Sequence, residues 1–259
     1  MEKLLLTQQK LEQTFQPEYY SVTFGAGGTT RDSTLEVVKL LAEKSINVAP
    51  HISCIGSSKQ QIADLLEQYK TLGVSRLVTL RGDIPETGES TRELVQAKEL
   101  VAFIRESSGD HFTIEVAAYP EYHPDSESPQ SEVEHCKNKV AAGADGAITQ
   151  YFYNIDAYLR FIDNCQKADI SIPVTPGIMP ITNFASLTRF SDACGAEIPR
   201  WIRKQLEAYA DDKESLQAFG LDVVSRLCNQ LLEQGAPGLH FYTLNQADST
   251  NAIWKNLSL

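Results

Sequence analysis

Seven short clusters of polar or glycine residues contain most of the side chains in this sequence that could do chemistry. Each cluster follows an apolar, strand-like segment and precedes a helical pattern. The clusters are ThrPheGlyAlaGlyGly at 23–28, HisIleSerCys at 51–54, ArgGlyAsp at 81–83, TyrProGluTyrHis at 119–123, ThrGlnTyr at 149–151, ProGlyIleMetPro at 176–180 and HisPheTyrThrLeuAsn at 240–245. Parallel barrels place their chemistry at the carboxyl ends of strands. The clusters therefore predict an active site that is assembled from strand ends.

The ArgGlyAsp cluster directly follows the apolar run LeuValThrLeu and offers two opposite charges at a strand end. Arg81 suits an anionic cofactor, and the carboxylate of Asp83 suits a cationic intermediate. Gly82 would let the backbone approach a ligand closely. The alternative is a polar turn in which both charges face water. We favour a functional interpretation because of the glycine and the position at a strand end.

Aromatic and imidazole side chains are concentrated in the turn at 119–124, where two tyrosines and a histidine lie between prolines. A stiff aromatic turn suits stacking on a flat heteroaromatic ring. Alternatively, Tyr119 only closes the end of a barrel. His51, His123 and His240 are all predicted near the active face. Metal binding by these histidines is a further alternative, although the sequence has no HxH or HxxxH pair and few chelating carboxylates.

Two other clusters give weaker signals. The glycine-rich turn at 23–32 could cradle a phosphate through backbone N–H groups, but it has neither GxGxxG nor GxxxxGK[ST] spacing. Gln150 places an amide at a strand end. The amide either hydrogen-bonds to the donor and acceptor edge of a ligand ring or is hydrogen-bonded within the protein at the mouth of the barrel. No lysine ends a predicted strand, and no GxSxG or Cys–His nucleophile motif is present. Because these side-chain nucleophiles are missing from the sequence pattern, a bound cofactor is favoured as the source of the chemistry.

An alternation of helices and strands must position these clusters. After a first helix at 3–15, strands are predicted at 19–24, 46–55, 75–80, 112–118, 146–150, 172–175 and 239–243, each followed by a helical pattern. Among the predicted helices, one is capped by Ser58 and two others span 90–106 and 155–167. Three helix-to-strand joints have a glycine after the last helical turn, which is typical of a repeated βα unit.

The resulting pattern is α(βα)7 over a single domain, residues 1–259, with extra helices in 181–236 before the last strand. We classify the fold as α/β, a (β/α)8 TIM-type barrel whose first strand is missing from this sequence. A gap in a parallel barrel would expose unpaired backbone groups, so we expect another element to fill it.

Composition narrows the range of partners. The 259 residues have a net charge of −11, which argues against nucleic acid and against anionic membrane surfaces. Five cysteines are scattered without a CxxC pair, as is typical of reduced intracellular proteins. No apolar run approaches the ~18 residues of a membrane span, and the first residues lack the apolar core of a signal peptide. We therefore expect a soluble, cytoplasmic protein.

The clusters and their order resemble the bacterial methylenetetrahydrofolate reductases. The resemblance rests on SerValThrPheGlyAla at 21–26, AlaProHisIleSerCysIle at 49–55, LeuArgGlyAspIlePro at 80–85, AlaAlaTyrProGluTyrHisPro at 117–124, AlaIleThrGlnTyrPheTyr at 147–153, ProGlyIleMetPro at 176–180 and HisPheTyrThrLeuAsn at 240–245. It implies a (β/α)8-barrel flavoprotein of one-carbon metabolism and methionine biosynthesis. In this family FAD takes a hydride from NADH or NADPH and passes it to 5,10-methylenetetrahydrofolate, giving 5-methyltetrahydrofolate. The resemblance also implies a homo-oligomer, often a tetramer.

The resemblance assigns roles to individual residues. FAD would be bound by Thr23, Phe24, Ala26, His51, Arg81, Gly82, Asp83, Ala97, Tyr119, His123, Glu132, His135, Asn138 and Lys139. In catalysis Asp83 would stabilise positive charge on the opened iminium form of the folate, and Gln150 would hydrogen-bond the pterin. The substrates would be contacted by Thr23, Asp83, Gln150, Ser186, Phe190 and Gln246. Phe190 would stack on the folate aminobenzoate or on the nicotinamide in a ping-pong cycle. No metal is implied.

Some features depart from the family pattern. Where the family's first strand carries PheGluPhePheProPro, with a glutamate as general acid, nothing in this sequence is similar. General acid catalysis contributes ~10²–10⁴-fold. We therefore expect impaired folate reduction but retained hydride transfer from nicotinamide to flavin. Ser186 and Gln246 replace the glutamine and arginine that often contact folate, and Asn138 replaces a basic residue.

Two alternatives from other classes stay open. One is a metal-dependent barrel hydrolase that uses His51, His123, His240 and Asp83. The other is a non-catalytic barrel remnant that dimerises through an open sheet edge.

Overall fold

The computed structural model describes residues 1–24, 31–82, 93–124, 126, 128–209 and 211–258 of the chain. Two predicted site residues, Ala26 and Asp83, lie outside the described residues, so their roles stay predictions.

Helices and strands alternate through most of the chain, as the sequence predicts. In order they are α1 (Glu2–Glu12), β1 (Tyr20–Val22), α2 (Arg31–Ala42), β2 (Val48–Ser53), α3 (Lys59–Thr71), β3 (Arg76–Leu80), α4 (Ala97–Ser108), β4 (Thr113–Ala118), α5 (Pro129–Ala141), β5 (Gly146–Thr149), α6 (Ile155–Lys167), β6 (Val174–Thr175), β7 (Gly177–Ile178), α7 (Phe184–Cys194), α8 (Arg200–Ala208), α9 (Lys213–Glu233), β8 (His240–Phe241) and α10 (Asp248–Lys255).

The chain divides into two compact units, each built from separate segments. The first unit contains Glu18–Ala117 and His135–Ala147, and the second contains Met1–Pro17, Ala118–Glu134 and Ile148–Leu259. Each unit is described by itself below.

The first unit contains parallel strands that follow one another in chain order, β1-β2-β3-β4. Val22 lies opposite Pro50 and His51 lies opposite Val78. Ala49, Ile52 and Leu77 in these strands are buried. Because a helix returns the chain between successive parallel strands, the carboxyl ends of all four strands lie at one edge.

Local signals explain where two helices of the first unit begin. Ser58 caps α3 in a capping box with Gln61, as the sequence predicts. The helix predicted from 90 to 106 is wrong in its start, because residues 93–96 are not helical and α4 begins at Ala97. Gln96 and Glu99 form a capping box there, so the helix starts where its free N–H groups are satisfied.

The second unit contains a parallel pair, β7 and β8, in which Gly177 lies opposite His240. The short strand predicted at 172–175 is observed as β6 (Val174–Thr175), and a further strand, β7, follows Pro176 within the ProGlyIleMetPro cluster. The Pro176 nitrogen carries no hydrogen, while its carbonyl oxygen accepts the His240 N–H at 2.9 Å. The predicted extra helices are confirmed as α7, α8 and α9.

This architecture confirms the α/β class, with parallel strands connected through helices. None of the helices within the described ranges combines the length and the hydropathy that crossing a membrane requires.

Candidate functional site

The carboxyl ends of β1, β2 and β3 bring together predicted cofactor residues of the first unit. The Thr34 hydroxyl of α2 donates to the Thr23 carbonyl at 3.0 Å and so fixes the end of β1. Thr23 itself is exposed, and Phe24 beside it is half-buried. His51 is half-buried in β2, and its register partner Val78 lies three residues before Arg81. Thr23, His51 and Arg81 therefore lie at or near the carboxyl ends of adjacent strands.

The backbone of Arg81 is held by three donors from the segment after β2. Its carbonyl oxygen accepts the Ser53 hydroxyl at 2.9 Å, the Cys54 thiol at 3.1 Å and the Ile55 N–H at 3.1 Å. The next residue, Gly82, has φ +85°, and an added Cβ would overlap the Ser53 Oγ. A glycine is therefore needed here to pack against Ser53, a reason that differs from the close ligand approach we predicted.

Burial raises the pKa of the Cys54 thiol to about 11. The thiol is consequently neutral at physiological pH, and Cys54 supports Arg81 rather than acting as a nucleophile.

Helix α5 places a cation at the carboxyl end of β4 in the same unit. The Lys139 Nζ donates to the Ala117 carbonyl at 2.5 Å. Asn138 is half-buried and His135 is exposed on this helix. Ala97, the other cofactor position predicted here, is half-buried at the first position of α4.

The second unit contains the aromatic turn after β4. The rings of Tyr119 and His123 meet edge to face, with centroids 4.8 Å apart. Glu132 is only 4% exposed, and its Oε1 accepts the His123 N–H at 3.2 Å and the Ser126 hydroxyl. Glu132 therefore stiffens the turn that holds the aromatic pair.

Gln150 lies beside this turn. Its N–H donates to the Ala118 carbonyl at 2.8 Å, and its side-chain Oε1 accepts the Tyr151 N–H at 3.0 Å. Because the amide oxygen is engaged by the backbone, the amide nitrogen is the group that can donate to a ligand.

A tight contact supports the strand end before Gln150. The Tyr242 hydroxyl donates to the Thr149 carbonyl at 2.7 Å, and the Gly177 N–H donates to the Thr149 Oγ1 at 2.9 Å. An added Cβ at Gly177 would overlap the Thr149 carbonyl oxygen and lie 2.6 Å from Tyr242 Cε2. The glycine of the ProGlyIleMetPro cluster thus makes room for the tyrosine.

Helix α7 carries two predicted substrate residues. The Ser186 N–H donates to the capping Asn183 Oδ1 at 2.8 Å. Phe190 is 38% exposed. The next residue, Ser191, is buried and its Oγ lies 3.0 Å from the Tyr151 hydroxyl. This bond ties the helix to the segment that holds Gln150.

Gln246 is exposed after an unusual turn. Leu244 and Asn245 both have positive φ, 50° and 57°, and the Gln246 N–H donates to the Thr243 carbonyl at 2.9 Å. Two successive left-handed residues other than glycine store strain of the kind that is common at functional sites.

The histidines do not form a metal site among the residues that the structure describes. Burial lowers the pKa of His240 to about 4, so its imidazole is neutral at physiological pH. Within the described ranges, no group of three or more His, Cys, Asp or Glu side chains is placed to hold a metal ion.

Sequence reasoning missed Glu121, whose carboxyl group is half-buried in the aromatic turn. It also missed Ser53 and Tyr151, which hold Arg81 and α7. The TyrProGluTyrHis cluster contained the only available signal for Glu121, a carboxylate between aromatic residues. The contacts of Ser53 and Tyr151 join residues that are distant in sequence, so no local signal pointed to them.

Comparison with known proteins gives a consistent result over the whole chain. Residues 1–258 match the family Methylenetetrahydrofolate reductase. The chain is 35% identical over 260 residues to a 5,10-methylenetetrahydrofolate reductase of Pectobacterium carotovorum, covering 100% of this chain and 86% of that protein. It is also 35% identical to the Escherichia coli K12 protein of the same name, covering 95% of this chain and 82% of that one.

A plant relative and a solved structure extend the comparison. Methylenetetrahydrofolate reductase (NADH) 1 of Arabidopsis thaliana is 36% identical, covering 95% of this chain and 44% of that protein. A Clostridium thermocellum protein that binds two copies of 5-methyl-5,6,7,8-tetrahydrofolic acid superposes with a TM-score of 0.56 at 16% identity, covering 97% of each chain. This likeness concerns the fold alone and agrees with the predicted TIM-type barrel class. The matches to the family and to its bacterial members show that the chain belongs to the methylenetetrahydrofolate reductase family.

Proposed function

We propose that this chain binds FAD and uses NADH or NADPH to reduce 5,10-methylenetetrahydrofolate to 5-methyltetrahydrofolate. The observation that carries the proposal is the family match over residues 1–258. The relatives from bacteria bear the name of this reaction, and the plant relatives bear the name of the NADH-dependent enzyme.

The donor groups of the first unit fit the phosphates of FAD. Arg81 and Lys139 supply cationic donors at the ends of β3 and β4, and both are half-buried. Charge-assisted hydrogen bonds from such groups are stronger than those from neutral donors. Since the Arg81 backbone is fixed by three donors, its side chain starts from a rigid position.

The second unit supplies groups suited to flat ligands. The Tyr119–His123 pair offers an aromatic surface, the Gln150 amide nitrogen can donate to a pterin, and exposed Phe190 can stack on an aminobenzoate or nicotinamide ring. Bound FAD would supply the hydride carrier that no side chain provides. The protein's own contribution is to bind and orient the two substrates.

Flavin binding is tested with a matched pair of lysine variants on α5. We expect one FAD per chain, and we expect Lys139→Met to weaken FAD binding by roughly tenfold or more because a charge-assisted contact is lost. Lys137→Met removes an exposed charge from the same helix and should leave FAD affinity unchanged. Titration of apoprotein with FAD, followed by flavin fluorescence, measures both.

The outcomes of this titration also separate the alternatives. A colourless protein with stoichiometric metal would support the hydrolase. A protein that binds neither FAD nor metal would support the non-catalytic barrel. If Lys139→Met and Lys137→Met bound FAD with equal affinity, Lys139 would not be part of the flavin site.

We also propose that residues 1–259 fold as one domain and assemble as a homo-oligomer, a tetramer by family resemblance. Three of the four unit boundaries fall inside β4, α5 and β5, and the fourth, at Pro17–Glu18, lies in the connection between α1 and β1. We expect one cooperative unfolding transition and a tetramer mass by light scattering. Two separated transitions, or a monomer mass, would contradict these proposals.

A further inference from the structure

The connection between α7 and α8 is attached to the aromatic turn at two points, both within the second unit. Gly195 ends α7 with φ +74°, and an added Cβ there would lie 3.0 Å from Pro124 Cγ. Two residues later, the Glu197 N–H donates to Glu121 Oε2 at 2.8 Å. The side chain of Glu121 therefore reaches from the turn to the connection.

The other carboxyl oxygen of Glu121 has no such contact. Its Oε1 is buried and has no hydrogen-bond partner in the part of the chain that the structure describes. The charged or titratable groups around Glu121 are Glu197 itself, Arg160 of α6 and the Tyr151 hydroxyl, with Cys194 of α7 beside Tyr151. No ion pair of Glu121 is found within the described ranges. A carboxylate in this position would be an uncompensated charge.

The attachment bears on α7 as a whole. The helix is tied at Ser191 to Tyr151, and its C-terminal end is held by the contacts of Gly195 and Glu197. Phe190 directly precedes Ser191 on the same helix and is 38% exposed. Any loosening of the connection is therefore expected to change how firmly Phe190 is held.

We propose that Glu121 is a positioning residue whose protonated form attaches the α7–α8 connection to the aromatic turn and thereby orients Phe190 for its aromatic substrate. This inference rests on the proposed function for its substrate class. The protonated group still accepts the Glu197 N–H and places no charge in a half-buried site, whereas the ionised group does. No covalent step is involved.

Burial raises the pKa of Glu121 to about 7, and it outweighs the hydrogen bond from the Glu197 N–H, which lowers the pKa. The charge of Glu197 adds to the effect of burial, and that of Arg160 opposes it. A released Glu121 has an ordinary pKa near 4.5. Attachment of the α7–α8 connection is therefore fully favoured below pH 4.5, the ordinary pKa of the group. It is weakened as pH rises from about 4.5 to 7, and it stays weak above pH 7.

The experiment measures hydrogen exchange of the amides of residues 195–198 and the Kd of 5-methyltetrahydrofolate between about pH 5 and 8. In the FAD-bound protein we expect protection, corrected for intrinsic exchange, to fall roughly tenfold over this range. The Kd should rise several-fold over the same window.

Three variants make the result specific. Glu121→Gln keeps the acceptor and cannot ionise, so protection and Kd should stay at their low-pH values throughout. Glu197→Gln removes the charge that raises the pKa of Glu121, so the midpoint should move to lower pH. Glu207→Gln, an exposed change on α8, should behave like the wild type.

The inference would be overturned if amide protection in the wild type did not depend on pH. It would also be overturned if protection in Glu121→Gln changed with pH as it does in the wild type. If Glu121→Gln fails to fold, the pH midpoint of amide protection in Glu197→Gln is the deciding measurement, and a midpoint that does not move to lower pH would overturn the inference. If protection changes as expected while no folate binds, the proposed function fails and the role of Glu121 in attachment stands, without its role toward the substrate.

Discussion

Glu115 in β4 is buried and Glu121 after β4 is half-buried, and the surroundings of the two carboxylates differ in one respect. Arg76 Nη1 donates to Glu115 Oε1 at 2.6 Å, and Arg76 Nη2 donates to Glu18 Oε1 at 2.6 Å. The same guanidinium lies 4.7 Å from the Tyr19 ring. Glu121, by contrast, accepts one backbone N–H and has a buried oxygen without a partner.

Burial raises the pKa of both groups, but Arg76 opposes the effect at Glu115 through its charge and its hydrogen bond. The comparison teaches that burial alone does not decide what a carboxylate does. Where a cation is built in beside it, the group serves as a fixed element of the framework. Where none is, the group can change its charge near neutral pH.

The largest expected effect is the loss of the cation beside Glu115. Arg76→Met should destabilise the protein by about 3–5 kcal/mol at pH 8, because it leaves a buried carboxylate unpaired. The loss should shrink at low pH, where Glu115 is protonated. Urea denaturation at both pH values measures it.

The control for this prediction is Arg226→Met, which breaks an exposed pair with Asp222 on α9. Exposed pairs of this kind contribute about 0.5 kcal/mol or less. If Arg76→Met cost no more than Arg226→Met, the Glu115 pair would not be a framework element.

Replacing the second carboxylate, Glu121, should have the opposite effect on stability. Glu121→Gln should stabilise the protein by about 1–2 kcal/mol above pH 7, a figure discounted because the group is partly exposed to solvent. The gain should shrink as pH falls and vanish below about pH 4.5, where the wild-type group is protonated in both the folded and the unfolded state. Thermal or urea unfolding across this range tests the sign, and a loss of stability at pH 8 would refute it.

The smallest expected effect concerns Arg160 and the titration of Glu121. The charge of Arg160 lowers the pKa of Glu121, so Arg160→Gln should move the pH midpoint of the 195–198 exchange curve upward by a few tenths of a unit. Because Arg160 is exposed, stability should change little. A downward shift would show that another group controls the titration.

Local patterns in the sequence were sufficient for most elements. Helix α6 occupies the predicted range 155–167 because Asn154 caps it and its apolar residues recur at helical spacing. The start of α4 was missed because a glutamine replaces the usual short polar cap, and β7 was missed because its pairing with β8 is not local.

The candidate site could be predicted as a list of residues but not as a set of contacts. Gly82 was predicted to allow close approach of a ligand, which stays a prediction, and the structure adds a packing reason in Ser53, which lies far away in sequence. The role of Glu121 depends on Glu197, and that contact joins residues that are 76 positions apart. Such reasons arise only when the chain is folded.

The central claim is tested most directly by following both half-reactions of the FAD-bound chain under anaerobic conditions. Rapid mixing with NADH or NADPH should bleach the visible absorbance of the flavin. Subsequent mixing with 5,10-methylenetetrahydrofolate should restore it and form 5-methyltetrahydrofolate faster than in a protein-free control. The rate of the second step also tests the impairment expected from the sequence. A flavin that is never reduced, or that is reduced but passes no hydride to the folate, would contradict the account.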